Sequence, residues 1–336
     1  MPALEAPAPD RFGPVESLPE VPLPDAPPHD LDELSRLRPR PDIRLIATDM
    51  DGTLVDDAMQ IHDELWPLVD ELRARGIAFC PASGRQYHNL VREFGDHADD
   101  LVYIAESGAY VVAGGREISS DGLELGVARR VATVVRGIPE AGAVLCGKRS
   151  AYIERRDPPF VEVVTQYYAR LRLAEDLLEV DDDDVLKVAI YDFASGEHNT
   201  APRLSGFQST HQVVVSGPHW VDVLSRSASK GRALREVQRA LGVTADQTMA
   251  FGDFLNDLEM MDAATWSFAM ANAHPALKER ARFVAPANNA NGVVRTIRAV
   301  RGLEEPLNGR GVTAPGSGTA RSRRRRRRGR PRRPRG

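Results

Sequence analysis

The sequence predicts an α/β protein: a Rossmann-like parallel-sheet core carrying an inserted α+β module. Three observations point there. Short apolar strands alternate with amphipathic helices from residue 43 to about 117. The alternation gives way to mixed short elements over roughly 118–212, then resumes to about 302. Acidic residues stand at the C-terminal ends of two strands, the edge at which open parallel sheets bind ligands.

Each element has a local reason. Residues 1–41 read as a disordered leader, since a run such as SLPEVPLPDAPP can hold neither a helix nor a central strand. IRLIAT is a buried strand. DELWPLVDELRARG is an amphipathic helix with Leu65, Leu68, Val69 and Leu72 on one face and Gly76 as its stop. IAFCPA, QYHNLVREFG and LVYIA continue as strand, helix, strand. The expected core is 42–117 plus 213–302, and the expected insert is 118–212, with GVARRVATVVRGI, AYIER, PFVEVVTQYYARL and VLKVAIYDF as its pieces. The core then returns with the helix SKGRALREVQRALG, the strand QTMAFG, the helix DLEMMDAA, the strands WSFAMA and RFVAP, and a last helix, GVVRTIRAVRG. Residues 303–336 are a disordered Gly/Pro-rich linker and an arginine tail.

A chain of 336 residues can bury a sizeable core. No apolar run approaches the ~18–20 residues of a membrane span, and the N-terminus lacks the basic and apolar regions of a signal peptide. Cys80 and Cys146 make neither a disulfide framework nor a metal spacing, so a reducing cytoplasm is expected. The histidines form no ligand spacing. DDDD at 181–184 reads as a solvated turn without EF-hand spacing. The last sixteen residues hold eleven arginines and no acid, so the net charge of −4 hides a body of −15. Such a tail binds nucleic acid or another polyanion by counterion release, or is an end without a dedicated partner; it has no interleaved aromatics for base stacking.

The chemistry concentrates in two strand ends. Asp49 and Asp51 follow the first strand, and Asp253, Asn256 and Asp257 follow QTMAFG. Carboxylates this close repel unless a cation holds them, and an oxygen-only ligand set suits Mg²⁺, which often partners a phosphate. PASGR offers the Ser83 hydroxyl and the backbone N–H groups of Gly84 and Arg85 to a phosphate. Arg85 is either a phosphate contact or a structural ion pair, and Lys230 supplies a compact cation. Together these groups suit in-line attack by a carboxylate on phosphorus, with a second carboxyl as acid and then base.

DMDGTL, SGR, SKGRAL and FGDFLND, in that order, resemble the four motifs of the haloacid dehalogenase-like (HAD) superfamily. IAESGAYV, FAMANAHPALKERA and NANGVVRTI resemble its Cof-type phosphatases over about 43–300. The resemblance implies a Mg²⁺-dependent phosphatase of a small phosphomonoester, a sugar phosphate or cofactor-precursor phosphate, working through an aspartyl phosphate. Asp49 would be the nucleophile and Asp51 the acid/base. Mg²⁺ would be held by Asp49, Asp253 and Asp51, the last through its backbone carbonyl. Ser83 (where the family usually has Thr), Gly84, Arg85, Lys230 and Asn256 would hold the phosphoryl group. Asp257, Gly52 and Thr53 would support the site, and the insert would be the cap that sets specificity. Tyr152, Phe160, Tyr167 and Tyr168 are candidate wall residues, with a helix-face core role expected for most of them. Ser107 replaces the family's usual Asn before Gly108. A phosphomutase or other phosphotransferase of the same superfamily, or a polyanion-binding protein working through its tail, are the competing readings.

Overall fold

A computed structural model of the chain describes residues 31–303. Residues 1–30 of the leader and the arginine tail lie outside the described residues. The first described element corrects the leader boundary. Helix α1 (Leu31–Ser35) inserts Leu34, 1% exposed, into the main core. Behind it, Arg40 Nη1 donates to the carbonyls of Ala299 (2.6 Å) and Val300 (3.0 Å), which end the last helix of the chain. One apolar anchor and one guanidinium on orphan helix carbonyls order a segment whose composition reads as disordered.

The core begins with β1 (Leu45–Asp49), buried at all five positions, as a strand covered on both faces must be. Helix α2 (Leu65–Ala74) buries Leu65, Leu68, Val69 and Leu72, the spacing of one helical face. Strand β2 (Ala78–Ala82), helix α3 (Tyr87–Phe94) and strand β3 (Val102–Ala105) follow. Then β4 (Tyr110–Ala113) and β5 (Arg116–Ser120) form an antiparallel hairpin at the sheet edge. Its turn is Gly114–Gly115, both at positive φ, where glycine costs least.

The insert comprises α4 (Leu125–Arg136), β6 (Ala141–Gly147), β7 (Ala151–Ile153), α5 (Pro158–Tyr167), β8 (Leu171–Leu173), β9 (Val185–Asp192), the short α6 (Ala201–Arg203), β10 (His211–Val215) and β11 (Trp220–Ser225). Its sheet runs β10-β11-β9-β6-β7-β8. Val127 and Val131 of α4 pack with Leu145, Val188 and Val223 on one face; Phe160 and Val164 of α5 pack with Val144, Cys146 and Ala189 on the other. That split is the period-2 alternation of strands. Strands β10 and β11 pair antiparallel with each other, and β11 with β9, so the return to the core comes after Ser225 and not at 213. The acidic run is also corrected. Asp183 is buried, accepting N–H bonds from Arg149 (3.0 Å) and Ser150 (3.2 Å) and the Tyr152 hydroxyl (3.0 Å), whereas Asp181, Asp182 and Asp184 are exposed.

The core resumes with α7 (Lys230–Leu241), β12 (Thr248–Gly252), α8 (Leu258–Asp262), β13 (Trp266–Met270), α9 (Pro275–Arg280), β14 (Phe283–Ala285) and α10 (Gly292–Arg301). The sheet order is β14-β13-β12-β1-β2-β3-β4-β5, parallel from β14 to β3. Strand β1 lies between β12 and β2, so the chain winds away from it in both directions. Such a switch point opens a crevice at the carboxyl ends of the strands.

Candidate active site

The two acid sets meet at that crevice. Asp49 ends β1, and the register Thr48↔Phe251 sets it level with Gly252, one residue before Asp253. Between them stands Lys230, the first residue of α7, its helix capped by the Ser229 hydroxyl accepting the Arg232 N–H at 3.1 Å. Lys230 Nζ donates to Asp49 Oδ1 and, at 2.7 Å, to Asp257 Oδ1. The second oxygen of Asp257 accepts the N–H groups of Asp253 (3.1 Å) and Phe254 (3.3 Å), which fixes the loop carrying Asp253.

Charge is crowded here. Burial pushes the Asp49 carboxyl well above the usual carboxylate range; Lys230 opposes this, and Asp257 and Asp253 add to it. Burial and then the neighbouring Asp257 charge raise Asp253 to about 6. Burial draws Lys230 down, but Asp257 and Asp49 more than offset it and hold the ammonium charged.

The residues present fit a hard divalent cation. Carboxylate oxygens of Asp49, Asp253 and Asp257 lie within 4.8 Å of one another. Asp257 has both oxygens committed, to Lys230 and to two backbone N–H groups, which leaves Asp253 and the second oxygen of Asp49 for the ion. Thr53 Oγ1 donates to Asp253 Oδ1 at 3.3 Å, and Asn272 Nδ2 to the Gly52 carbonyl at 2.8 Å. Gly52 has φ +77°, and a Cβ there would come within 2.9 Å of Asp253 Cγ. Only glycine lets this turn close over the acid.

Asp51 contributes no carboxylate to that group. Its half-exposed side chain is held by Arg85 through Nη2 and, at 3.3 Å, Nε, while Arg85 Nη1 donates to Glu93 at 2.6 Å. Arg85 is thus an ion-pair partner of both acids. Ser83 is buried; its Oγ accepts the Arg85 N–H at 3.1 Å, leaving its own O–H to be donated. Asp49, Asp51, Gly84, Arg85, Ser107, Lys230, Asp253 and Asn256 all line one cavity of about 1690 Å³.

The insert lines part of this cavity and touches the core at named points. Lys187 of β9 donates to the Gly84 carbonyl at 2.9 Å and pairs with buried Glu106 at 3.1 Å and Asp222 at 3.6 Å. Two carboxamides of α3 and its entry grip the insert's backbone. Gln86 exchanges two hydrogen bonds with Arg170 (2.9 and 3.0 Å), and Asn89 donates to the Tyr167 carbonyl and accepts the Ala169 N–H. Of the expected wall residues, Tyr167 and Tyr168 line the cavity. Tyr152 and Phe160 do not: both are buried in the insert's two cores.

The sequence reading missed Glu93, Lys187, Glu106, Gln86 and Asn89. Lys187 had a signal, a lone cation inside the apolar strand VLKVAIYDF, and Glu106 had its counterpart after LVYIA. Glu93 and the two amides sit at ordinary helix positions and carried none.

A family model described as haloacid dehalogenase-like hydrolase matches residues 46–297. The 5-amino-6-(5-phospho-D-ribitylamino)uracil phosphatase YbjI of Escherichia coli is 31% identical over 274 residues, covering 79% of this chain and 99% of the relative. A crystal structure from Eubacterium rectale superposes with a TM-score of 0.70 at 26% identity, over 76% of this chain and 98% of that one. SMU.1108c from Streptococcus mutans does so at 0.68 and 25% identity, over 77% and 99%. A match over most of the chain, on a doubly wound sheet that brings the motif residues to one crevice, establishes that the chain belongs to the haloacid dehalogenase-like hydrolases, as a phosphoric monoester hydrolase of their Cof-type branch.

Proposed function

We propose that the chain is a Mg²⁺-dependent phosphatase that hydrolyses a small phosphomonoester through an aspartyl phosphate on Asp49, with the insert acting as its cap. The observation carrying this reading is the Lys230 ammonium shared between Asp49 and Asp257, beside Asp253 and lining the cavity. Lys230 opposes the burial that pushes the Asp49 carboxyl up, and so favours the ionised form that a nucleophilic carboxylate requires.

The Asp49 carboxylate attacks phosphorus in line as the ester oxygen departs. Asp51 gives that oxygen its proton, then takes one from the water that cleaves the acyl phosphate. Arg85 holds the Asp51 side chain in an ion pair before substrate arrives. An incoming phosphoryl group competes for the same guanidinium, and Asp51, released from it, takes the proton of the monoanionic ester and passes it to the leaving oxygen. The Ser83 hydroxyl, Lys230 and Asn256 position the phosphoryl oxygens. Mg²⁺, held by Asp49 and Asp253 with the Asp51 backbone carbonyl, would offset the charge of carboxylates and phosphate. The cap excludes water from the reacting group. A soluble cytoplasmic setting fits this chemistry, and no helix among the described residues is long and apolar enough to cross a membrane.

The experiment is phosphate release from a panel of phosphomonoesters with Mg²⁺, with EDTA, and with Asp49→Asn. Release that needs Mg²⁺ and vanishes in the variant is expected. Equal release from the variant removes Asp49 as nucleophile.

A further inference from the structure

Eight large hydrophobic side chains are exposed among the described residues, and six of them line the active-site cavity: Met59, Tyr167, Val214, Val215, Phe254 and Leu255. Apolar surface concentrated in this way marks a binding surface. A phosphate and a bare sugar offer little to such a wall, because a sugar presents hydroxyls that ask for hydrogen-bond partners.

The insert adds a fixed aromatic element. Tyr167 is 50% exposed, and its ring meets Trp220 edge-on at 5.1 Å. Trp220 is held in turn by Tyr191 at 5.0 Å and Tyr168 at 6.4 Å. Strand alternation turns Gln212, Val214, Trp220, Asp222 and Leu224 to one face, and all five line the cavity. Asn89 pins the backbone on both sides of Tyr168, and the edge contact with Trp220 positions the Tyr167 ring before any ligand arrives. Rings immobilised in advance lose little entropy when a partner stacks on them. The nearby cation does not compete for this role: Lys187 already serves Gly84, Glu106 and Asp222.

We infer that Tyr167 and Trp220 form a stacking subsite for a flat heteroaromatic ring on the leaving group, so that the preferred substrate is a ring-bearing alkyl phosphate and not a simple sugar phosphate. This rests on the phosphatase reading above and names the substrate class of the same cavity.

The test compares kcat/KM for flavin mononucleotide, uridine 5′-monophosphate, glucose 6-phosphate and erythrose 4-phosphate, with Mg²⁺, in the wild-type chain and four variants. Tyr167→Leu and Trp220→Leu remove the rings; Tyr167→Phe and Trp220→Phe keep them. Wild type is expected to prefer the ring-bearing esters. Each Leu variant is expected to lose about tenfold on those esters through KM, with the sugar phosphates unchanged. Each Phe variant is expected to stay within about threefold of wild type. Equal losses on ring and sugar substrates, or a wild-type preference for the sugars, overturn the subsite and leave the phosphatase standing. Absence of hydrolysis from all four esters and from p-nitrophenyl phosphate overturns the phosphatase reading, and the subsite with it. If Trp220→Leu fails to fold by circular dichroism, the Tyr167 pair and Trp220→Phe decide alone.

Discussion

Replacing Lys230 with methionine keeps the unbranched stem and removes the cation that two carboxylates share. Lys230 is 1% exposed, and the side chains of Asp49 and Asp257 are 8% and 0% exposed. Breaking a buried pair by deleting one partner costs about 3–5 kcal/mol, because the remaining charge stays buried. The carboxylates can limit that cost by taking up a proton. A carboxyl whose folded pKa is raised binds its proton in the folded state first, so its penalty is full above that pKa and fades as pH falls through it. Metal-free Lys230→Met is therefore expected to lose about 3–5 kcal/mol at pH 7.5 and less at pH 5.5. Urea unfolding followed by circular dichroism measures both. Adding Asp49→Asn to Lys230→Met removes one stranded charge, and the pair is expected to fall short of additivity by about 1 kcal/mol or more. Activity should drop by about 10²–10³ in kcat, the usual effect of one preorganised electrostatic group. Stability within 1 kcal/mol of wild type at both pH values, or strict additivity of the pair, would refute the shared-cation reasoning.

Asp253, raised to about 6 by burial and Asp257, penalises the folded state increasingly as pH climbs from about 4 to about 6. Asp253→Asn is expected to flatten that part of the stability–pH curve in EDTA, and an unchanged slope would remove Asp253 as its source. Gly52→Ala forces a side chain to φ +77° against Asp253; about 1–2 kcal/mol of stability should go, together with Mg²⁺-dependent turnover, as read by thermal melting and phosphate release. Lys187→Met strands Glu106, 0% exposed, and is expected to cost about 3–5 kcal/mol, part of which Glu106→Gln should restore in the double variant. Asn89→Ala loosens the backbone under Tyr167, so KM should rise more than kcat falls; the reverse pattern would place Asn89 in the chemistry.

The core was legible because its signals are local. The run from Ile43 to Asp49 announces a strand buried on both faces, and the helix face of Leu65, Leu68, Val69 and Leu72 buries as spaced. Asp49, Lys230 and Asp253 could be named because each sits at the end of an element whose type is clear. What failed was non-local. The sequence reading placed no element over 211–225, and only the pairing of Trp220–Ser225 with Val185–Asp192 assigns that stretch to the insert. The edge hairpin of β4 and β5 went unread because two short strands around Gly114–Gly115 also fit a loop. Tyr152 and Phe160 pack as core, the role expected for most of the four aromatics: Tyr152 on β7 enters one core and Phe160 on helix α5 the other, while Tyr167 at the end of α5 escapes both. Leu34 and Arg40 order the end of a leader through contacts about 260 residues away in sequence, beyond the reach of any window.

The grip of Gln86 and Asn89 on residues 167–170 has a consequence for how this protein can change. Both amides bind peptide N–H and C=O groups and no side chain of the insert. Any residue other than proline at 169 or 170 offers the same partners. Tyr167 can therefore be exchanged, and with it the surface presented to the ligand, while the attachment of the insert to the helix beside Ser83–Arg85 stays intact. At this contact the insert is held by its main chain alone, so, on the stacking proposal, an exchange of Tyr167 changes the preferred ester without loosening the hold of Gln86 and Asn89.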